Sequence, residues 1–107
     1  MATTKLDKLE ARIVARKKTL AQTGHMRPGK LSVQYRNPRE QKTPFNQISY
    51  TLNGKSRSEY VRSESLEVVQ RELAEYKRFK DIVEELIRLS LEASRLRHAR
   101  TSIRTAN

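Results

Sequence analysis

Catalysis needs groups that can be brought together, and this chain offers few. Its two aspartates, Asp7 and Asp81, stand apart in stretches with helical periodicity. The clustered carboxylates that hold divalent metals for nuclease or strand-transfer chemistry therefore have no source. His25 and His98 are single histidines in basic segments and read as solvent or phosphate neighbours, not ligands. The chain has no cysteine, which excludes disulfides, zinc knuckles, thiol catalysis and iron–sulfur clusters. Gly54-Lys55-Ser56 has the ending of a phosphate-binding P-loop. Ser49, however, occupies the place of that motif's first glycine, and a strand pattern follows where a helix is required. Glu84, Glu85 and Arg88 are ordinary helix-face charges. Neither an enzyme nor a cofactor is expected.

What the residues can do is meet a polyanion. The formal net charge is +11, and it is segregated: residues 1–62 hold 14 Lys/Arg against 4 Asp/Glu, whereas residues 63–95 hold 6 against 8. Such a basic half gains counterion-release entropy on phosphates, although the same charge could serve solubility alone. Within it, Asn53-Gly54 joins two alternating runs, Gln47–Leu52 and Lys55–Val61, the signature of a β-hairpin.

Two registers are open for that hairpin. A two-residue loop puts Ile48, Tyr50 and Leu52 on one face with Lys55, Arg57 and Glu59. A three-residue loop, Leu52-Asn53-Gly54 with a bulge at Gly54, puts Ile48, Tyr50, Ser56, Ser58 and Tyr60 on one side. Gln47, Ser49, Thr51, Lys55, Arg57 and Glu59 then fall on the other. The second is preferred because it separates a buried face from a basic, hydroxyl-rich one. A ribbon of this kind fits the major groove, with Gln34, Arg36, Lys55 and Arg57 as base-reading residues. Arg27 and Lys30 in the preceding hinge and Arg39 and Lys42 in the connecting loop complete the candidate nucleic-acid contacts. Against this stands the ordinary use of Lys, Arg and Ser on exposed strands to block edge pairing.

The elements that must position these residues follow from periodicity. Residues 4–22 form a helix with Thr4 as N-cap and Asp7 three residues on; its seam of Leu6, Leu9, Ile13 and Leu20 is narrow, and its back is basic. Leu31–Arg36 alternates as a further strand, with Leu31, Val33 and Tyr35 on one face. Residues 37–46 read as a polar loop bounded by Pro38 and Pro44, with Phe45 tucked inward. From Ser63, a candidate cap, the period becomes helical with no Gly or Pro to the end of the chain. Leu66, Val69, Leu73 and Tyr76 form its first seam, and Phe79, Ile82, Leu86 and Leu89 continue a second. A helix of this length outruns a three-stranded sheet. The second seam is therefore expected to meet the N-terminal helix, a second copy of the chain or a helical partner.

The order of basic helix, Met26-Arg-Pro-Gly-Lys-Leu-Ser-Val-Gln-Tyr-Arg36, Ile48-Ser-Tyr-Thr-Leu-Asn-Gly-Lys-Ser-Arg-Ser-Glu-Tyr-Val61 and Tyr76-Lys-Arg-Phe-Lys80 resembles a family of small uncharacterised prokaryotic proteins often encoded in or beside transposable elements. Members of that family often carry a cysteine cluster between the first strand and the hairpin. Here Asn37–Phe45 occupy that place without cysteine, so metal binding does not carry over. The family brings no established activity. The order of strands and helix also looks like the sheet-type DNA-binding domains of some phage and transposon integrases, a likeness of architecture and not of function.

The expectation is thus an α+β protein: a three-stranded antiparallel sheet packed on a long C-terminal helix, with an additional N-terminal helix. Residues 1–24 are the basic helix, 25–96 the sheet-plus-helix domain and 97–107 a flexible basic tail. Leu31, Val33, Tyr35, Ile48, Tyr50, Tyr60, Leu66, Val69 and Leu73 are its expected core. No apolar run approaches the roughly 18 residues of a membrane span, so a soluble, cytoplasmic protein is expected. The small core implied by 36% hydrophobic against 33% charged residues leads to the expectation of an oligomer. Its function is expected to be nucleic-acid binding, with duplex DNA read by the hairpin and a link to a mobile element. The alternative is an assembly factor that docks a partner through the long helix.

Overall fold

The computed structural model describes the backbone of residues 3–37, 39–40 and 42–105, and the side chains of these except Lys42 and residues 100–105. The element order is α1 (Lys5–Ala21), β1 (Lys30–Asn37), β2 (Lys42–Leu52), β3 (Lys55–Val61), a 3-10 turn (Ser63–Ser65) and α2 (Leu66–Thr105). The sheet is antiparallel with strand order β1-β2-β3. The fold is α+β, as the periodicities indicate. By compactness the chain divides into residues 1–23 with 79–107, and residues 24–78. The first boundary falls at the glycine-containing hinge. The second lies inside α2, at a place no composition shift marks.

In the first unit α1 starts as its sequence directs. The Thr4 side chain accepts from the Asp7 backbone N–H, and Asp7 in turn accepts from the Thr4 N–H, a reciprocal capping box. Leu6 and Leu9 then bury against Leu89 and Ala93 of α2, flanked by Ile13 and Leu96. Ion pairs border this contact: Lys5 with Glu92, Arg12 and Arg16 with Glu85, and Arg97 with Glu10. Exposed pairs of this kind add little stability, so the leucine seam carries the contact.

The second unit is a sheet with one face partly covered by the first turns of α2. Ile48, Val61 and Val69 form its buried centre, with Leu31, Leu66 and Leu73 packed against it. The hairpin register is the two-residue one: Leu52 pairs with Lys55, Tyr50 with Arg57 and Ile48 with Glu59. The preferred three-residue reading is therefore corrected. Asn53 and Gly54 both take left-handed backbone, at φ 52 and 78. Two consecutive left-handed residues close a tight turn whose twist matches that of the strands, and no bulge is needed.

The core changes accordingly. Tyr60, expected inside, lies on the open face and is 62% exposed, and Val61 takes the buried place beside Ile48. Val33 is 54% exposed although it shares a face with Leu31. It sits opposite Asn46 on outer strand β1, outside the set of residues packed around Ile48, Val61 and Val69. Tyr35 and Tyr50 are half-buried.

Three other expectations are revised. The polar loop shrinks, because β2 begins at Lys42 and includes Pro44 and Phe45. Beyond Asn46, β2 has no β3 residue opposite it, the edge-like setting in which a strand tolerates proline. Ser63 caps nothing: Arg62 holds the cap position without a side-chain bond, and the chain enters α2 through a 3-10 turn. The helical backbone also continues to Thr105, through what reads as a flexible tail.

Gly29 is fixed by geometry at φ 139, where a Cβ would lie 2.9 Å from Ile48 Cγ1 and from the Ser49 carbonyl oxygen. Gly29→Ala is expected to lower stability by about 1–3 kcal/mol, from overpacking added to left-handed strain. Urea denaturation measures the loss.

Candidate nucleic-acid interface

The register sorts the polar residues of the sheet onto two faces. On the face opposite α2 stand Lys30, Ser32, Gln34 and Arg36 of β1, then Phe45, Gln47, Ser49 and Thr51 of β2, then Ser56, Ser58 and Tyr60 of β3. Of these, Ser32, Phe45 and Gln47 are half-buried and the others exposed. The side chains knit locally, with Gln34 Nε2 donating to Ser32 Oγ at 3.2 Å and Ser32 Oγ donating to the Gln47 carbonyl at 3.4 Å. The Phe45 and Tyr60 rings meet diagonally across two strands, with centroids 6.2 Å apart and planes tilted 44°.

The four residues assigned to base reading are thereby split. Gln34 and Arg36 belong to this open face. Lys55 and Arg57 belong to the helix side, exposed at the hairpin tip beside Leu52 and Tyr50. The contiguous basic, hydroxyl-rich face expected of the hairpin does not form. Its cations lie at the rim, Lys30 and Arg36 on one face and Lys55 and Arg57 on the other, while the centre of the open face is hydroxyl, amide and aromatic.

Arg27 has a different position from the rest. Its backbone N–H donates to the Glu72 carbonyl and its Nη2 donates to Glu59 Oε2 at 3.1 Å. Its guanidinium lies over the Tyr50 ring, 5.5 Å from the centroid, and Nε is buried without a hydrogen-bond partner. Together with the Gly24 N–H, which donates to Glu75 Oε2, these bonds clasp the hinge onto α2 and β3. Arg39 is exposed in the β1–β2 turn. The Lys42 side chain lies outside the described residues.

Arg27, Tyr50 and Glu59 form a linked triad. The Tyr50 hydroxyl donates to Glu59 Oε1 at 2.7 Å. This bond first, and Arg27 second, hold the Glu59 carboxyl below its usual range. The same bond first, and desolvation second, raise the Tyr50 phenol. Because the folded Glu59 is depressed, its contribution is full above the ordinary carboxylate pKa and is lost as pH falls through the lower folded value. For Tyr50 the contribution is full below the ordinary phenol pKa and is lost as pH rises through the raised one. Tyr50→Phe is expected to move the Glu59 titration upward, which carbon-detected NMR of the carboxyl reads directly. Glu75 is held low by Arg78 first and then by the Gly24 N–H.

Elsewhere the described residues give less. A shallow depression of about 370 Å³ on α2 is lined by Arg71, Ala74, Glu75 and Arg78, with Arg78 turned onto Glu75 at 2.6 Å. Among the described residues no three of His, Cys, Asp and Glu gather as metal ligands. No helix among them is long and apolar enough to cross a membrane. Of the seam proposed for a partner, Ile82 and Leu89 are buried and Phe79 and Leu86 half-buried.

Sequence reasoning missed Phe45 and Tyr60 as members of the open face. The signal was Val61: a β-branched residue two places after Glu59 can replace Tyr60 in the core only if the loop has two residues. Comparison with family models, curated proteins and solved structures gives no match.

Proposed function

We propose that this chain is a nucleic-acid-binding accessory protein whose interface is the open face of the sheet, with the hairpin tip and the β1–β2 turn contacting phosphates. The link to mobile elements belongs to the same proposal and rests on the family resemblance alone. The observation that carries the reading is the uncovered sheet face itself. It presents the hydroxyls of Ser32, Ser49, Thr51, Ser56 and Ser58, two amides and two aromatic rings, rimmed by Lys30 and Arg36, in the half of the chain that holds the positive charge. Hydroxyls and amides bond both base edges and phosphate oxygens, and rim cations position the strand. The groove-reading form of the idea needed Lys55 and Arg57 on this face. With both on the other side, they are better suited to the phosphates at the tip.

The test separates rim from background. Substituting Lys30 and Arg36 together by Ala is expected to weaken binding and to reduce the salt slope by about 2, one unit per phosphate contact. Substituting Lys8, Lys17 and Lys18 of α1 is the control, since Arg12 and Arg16 are already engaged with Glu85. Equal losses from both sets would place the interface elsewhere. The protein-interaction reading keeps one observation in its favour: Ile87 and Leu91, one turn apart on α2, are 60% and 50% exposed. Sedimentation of Ile87→Glu against the parent chain tests it, an unchanged monomer counting against it.

A further inference from the structure

We infer that the open face takes strands with unpaired bases, stacking a base on Tyr60 beside Phe45 while Gln47 and Gln34 meet its edges. This deepens the nucleic-acid reading above and rests on it. Register puts Gln47 directly across from Tyr60, and Gln34 directly across from Phe45. Two rings and two amides thus form one contiguous patch, in which Phe45 braces a Tyr60 ring that stays mostly in water. The remaining β3 positions on this face are serines, which satisfy an exposed strand without presenting a ring. A cross-strand aromatic pair also steadies a sheet. That role does not account for the flanking amides.

A duplex base offers only its edges, because both of its faces are stacked; a ring on a flat sheet gains a π-face only from a base that has left the stack. The cations nearest the rings, Arg36 two residues beyond Gln34 and Arg62 two beyond Tyr60, border the patch and leave its centre to rings and amides. Lys30 and Arg36 stand toward opposite ends of β1, about 20 Å apart at the usual strand rise. Both lie on outer strand β1, so they border the patch along its Gln34 side, where a backbone can run beside bases that turn inward onto the rings.

The test uses the whole chain and fluorescence anisotropy with a labelled mixed-sequence 12-nucleotide DNA, single-stranded and as a blunt duplex. The single strand is expected to bind more tightly. Tyr60→Ala is expected to weaken it by roughly 5- to 150-fold, the range for losing one stacked base, with Tyr60→Phe close to the parent and duplex affinity within about twofold. Thermal melts confirm that the variants fold. A second measurement is independent of substitution: a strand carrying 5-iodouracil is expected to photocrosslink to Tyr60, located by mass spectrometry. Salt-sensitive binding of both DNAs with Tyr60→Ala at parental affinity, or with the duplex preferred, overturns the stacking inference and leaves the binding reading standing. Failure of both DNAs to bind at low salt overturns the reading beneath it.

Discussion

Ile48→Ala is expected to lower the stability of the sheet-containing unit by about 2–5 kcal/mol, the range for truncating a large buried aliphatic side chain. Ile48 is the fully enclosed side chain of this unit, with no exposed surface, and it joins Val61 to Val69 across the sheet–helix contact. Its γ-carbon also lies where Gly29 approaches most closely, so truncation opens space on both the helix and the hinge side. Val61 and Val69 are the other buried members of this cluster among the described residues, at 5% and 8% exposure. Against a typical stability of about 5–15 kcal/mol the loss approaches unfolding. Val33→Ala provides the contrast, because a side chain 54% exposed is expected to change stability by less than about 1 kcal/mol. Urea denaturation of both variants, followed by far-UV circular dichroism, gives the comparison.

The second large effect is on affinity. About six phosphate contacts, drawn from the cations of the rim, the hairpin tip and the β1–β2 connection, are expected to lower the binding constant by some three decades between 50 and 200 mM salt. The slope of log affinity against log salt counts those contacts. A slope near zero would mean that the positive charge of residues 1–62 is spent on solubility. Background attraction from α1 contributes to this slope but not to any preference among nucleic acids, so the slope and the single-strand preference report on different residues.

Much of the fold was legible because each element states its own period. Thr4 and Asp7 mark the start of α1, Asn53-Gly54 marks the turn, and the change of period at Ser63 marks the long helix; all three are local signals that tertiary contacts had no reason to override. The register was not legible from the hairpin alone. One face mixing Ile48 and Tyr50 with Arg57 and Glu59 looks like a poor core. It works because α2 covers only the Ile48–Val61 part, and because Arg27 and Glu59 then pair over Tyr50 on the uncovered remainder. That pairing links residues 32 positions apart, a distance no periodicity reports. The candidate site was displaced by the same step. A one-residue change in the loop moves Lys55 and Arg57 to the helix side and brings Tyr60 into the open. The residues that attract a polyanion were found by composition, whereas those that would hold it depend on a turn of two residues or three.

The most direct measurement of the central claim is amide chemical-shift mapping of the intact chain during titration with the 12-nucleotide strand. The largest shifts are expected on the three strands, over Lys30–Arg36, Phe45–Thr51 and Ser56–Tyr60, with side-chain amides of Gln34 and Gln47 moving alongside. Shifts confined to α1 and the later turns of α2, with the sheet unchanged at saturation, would contradict an interface on the open face.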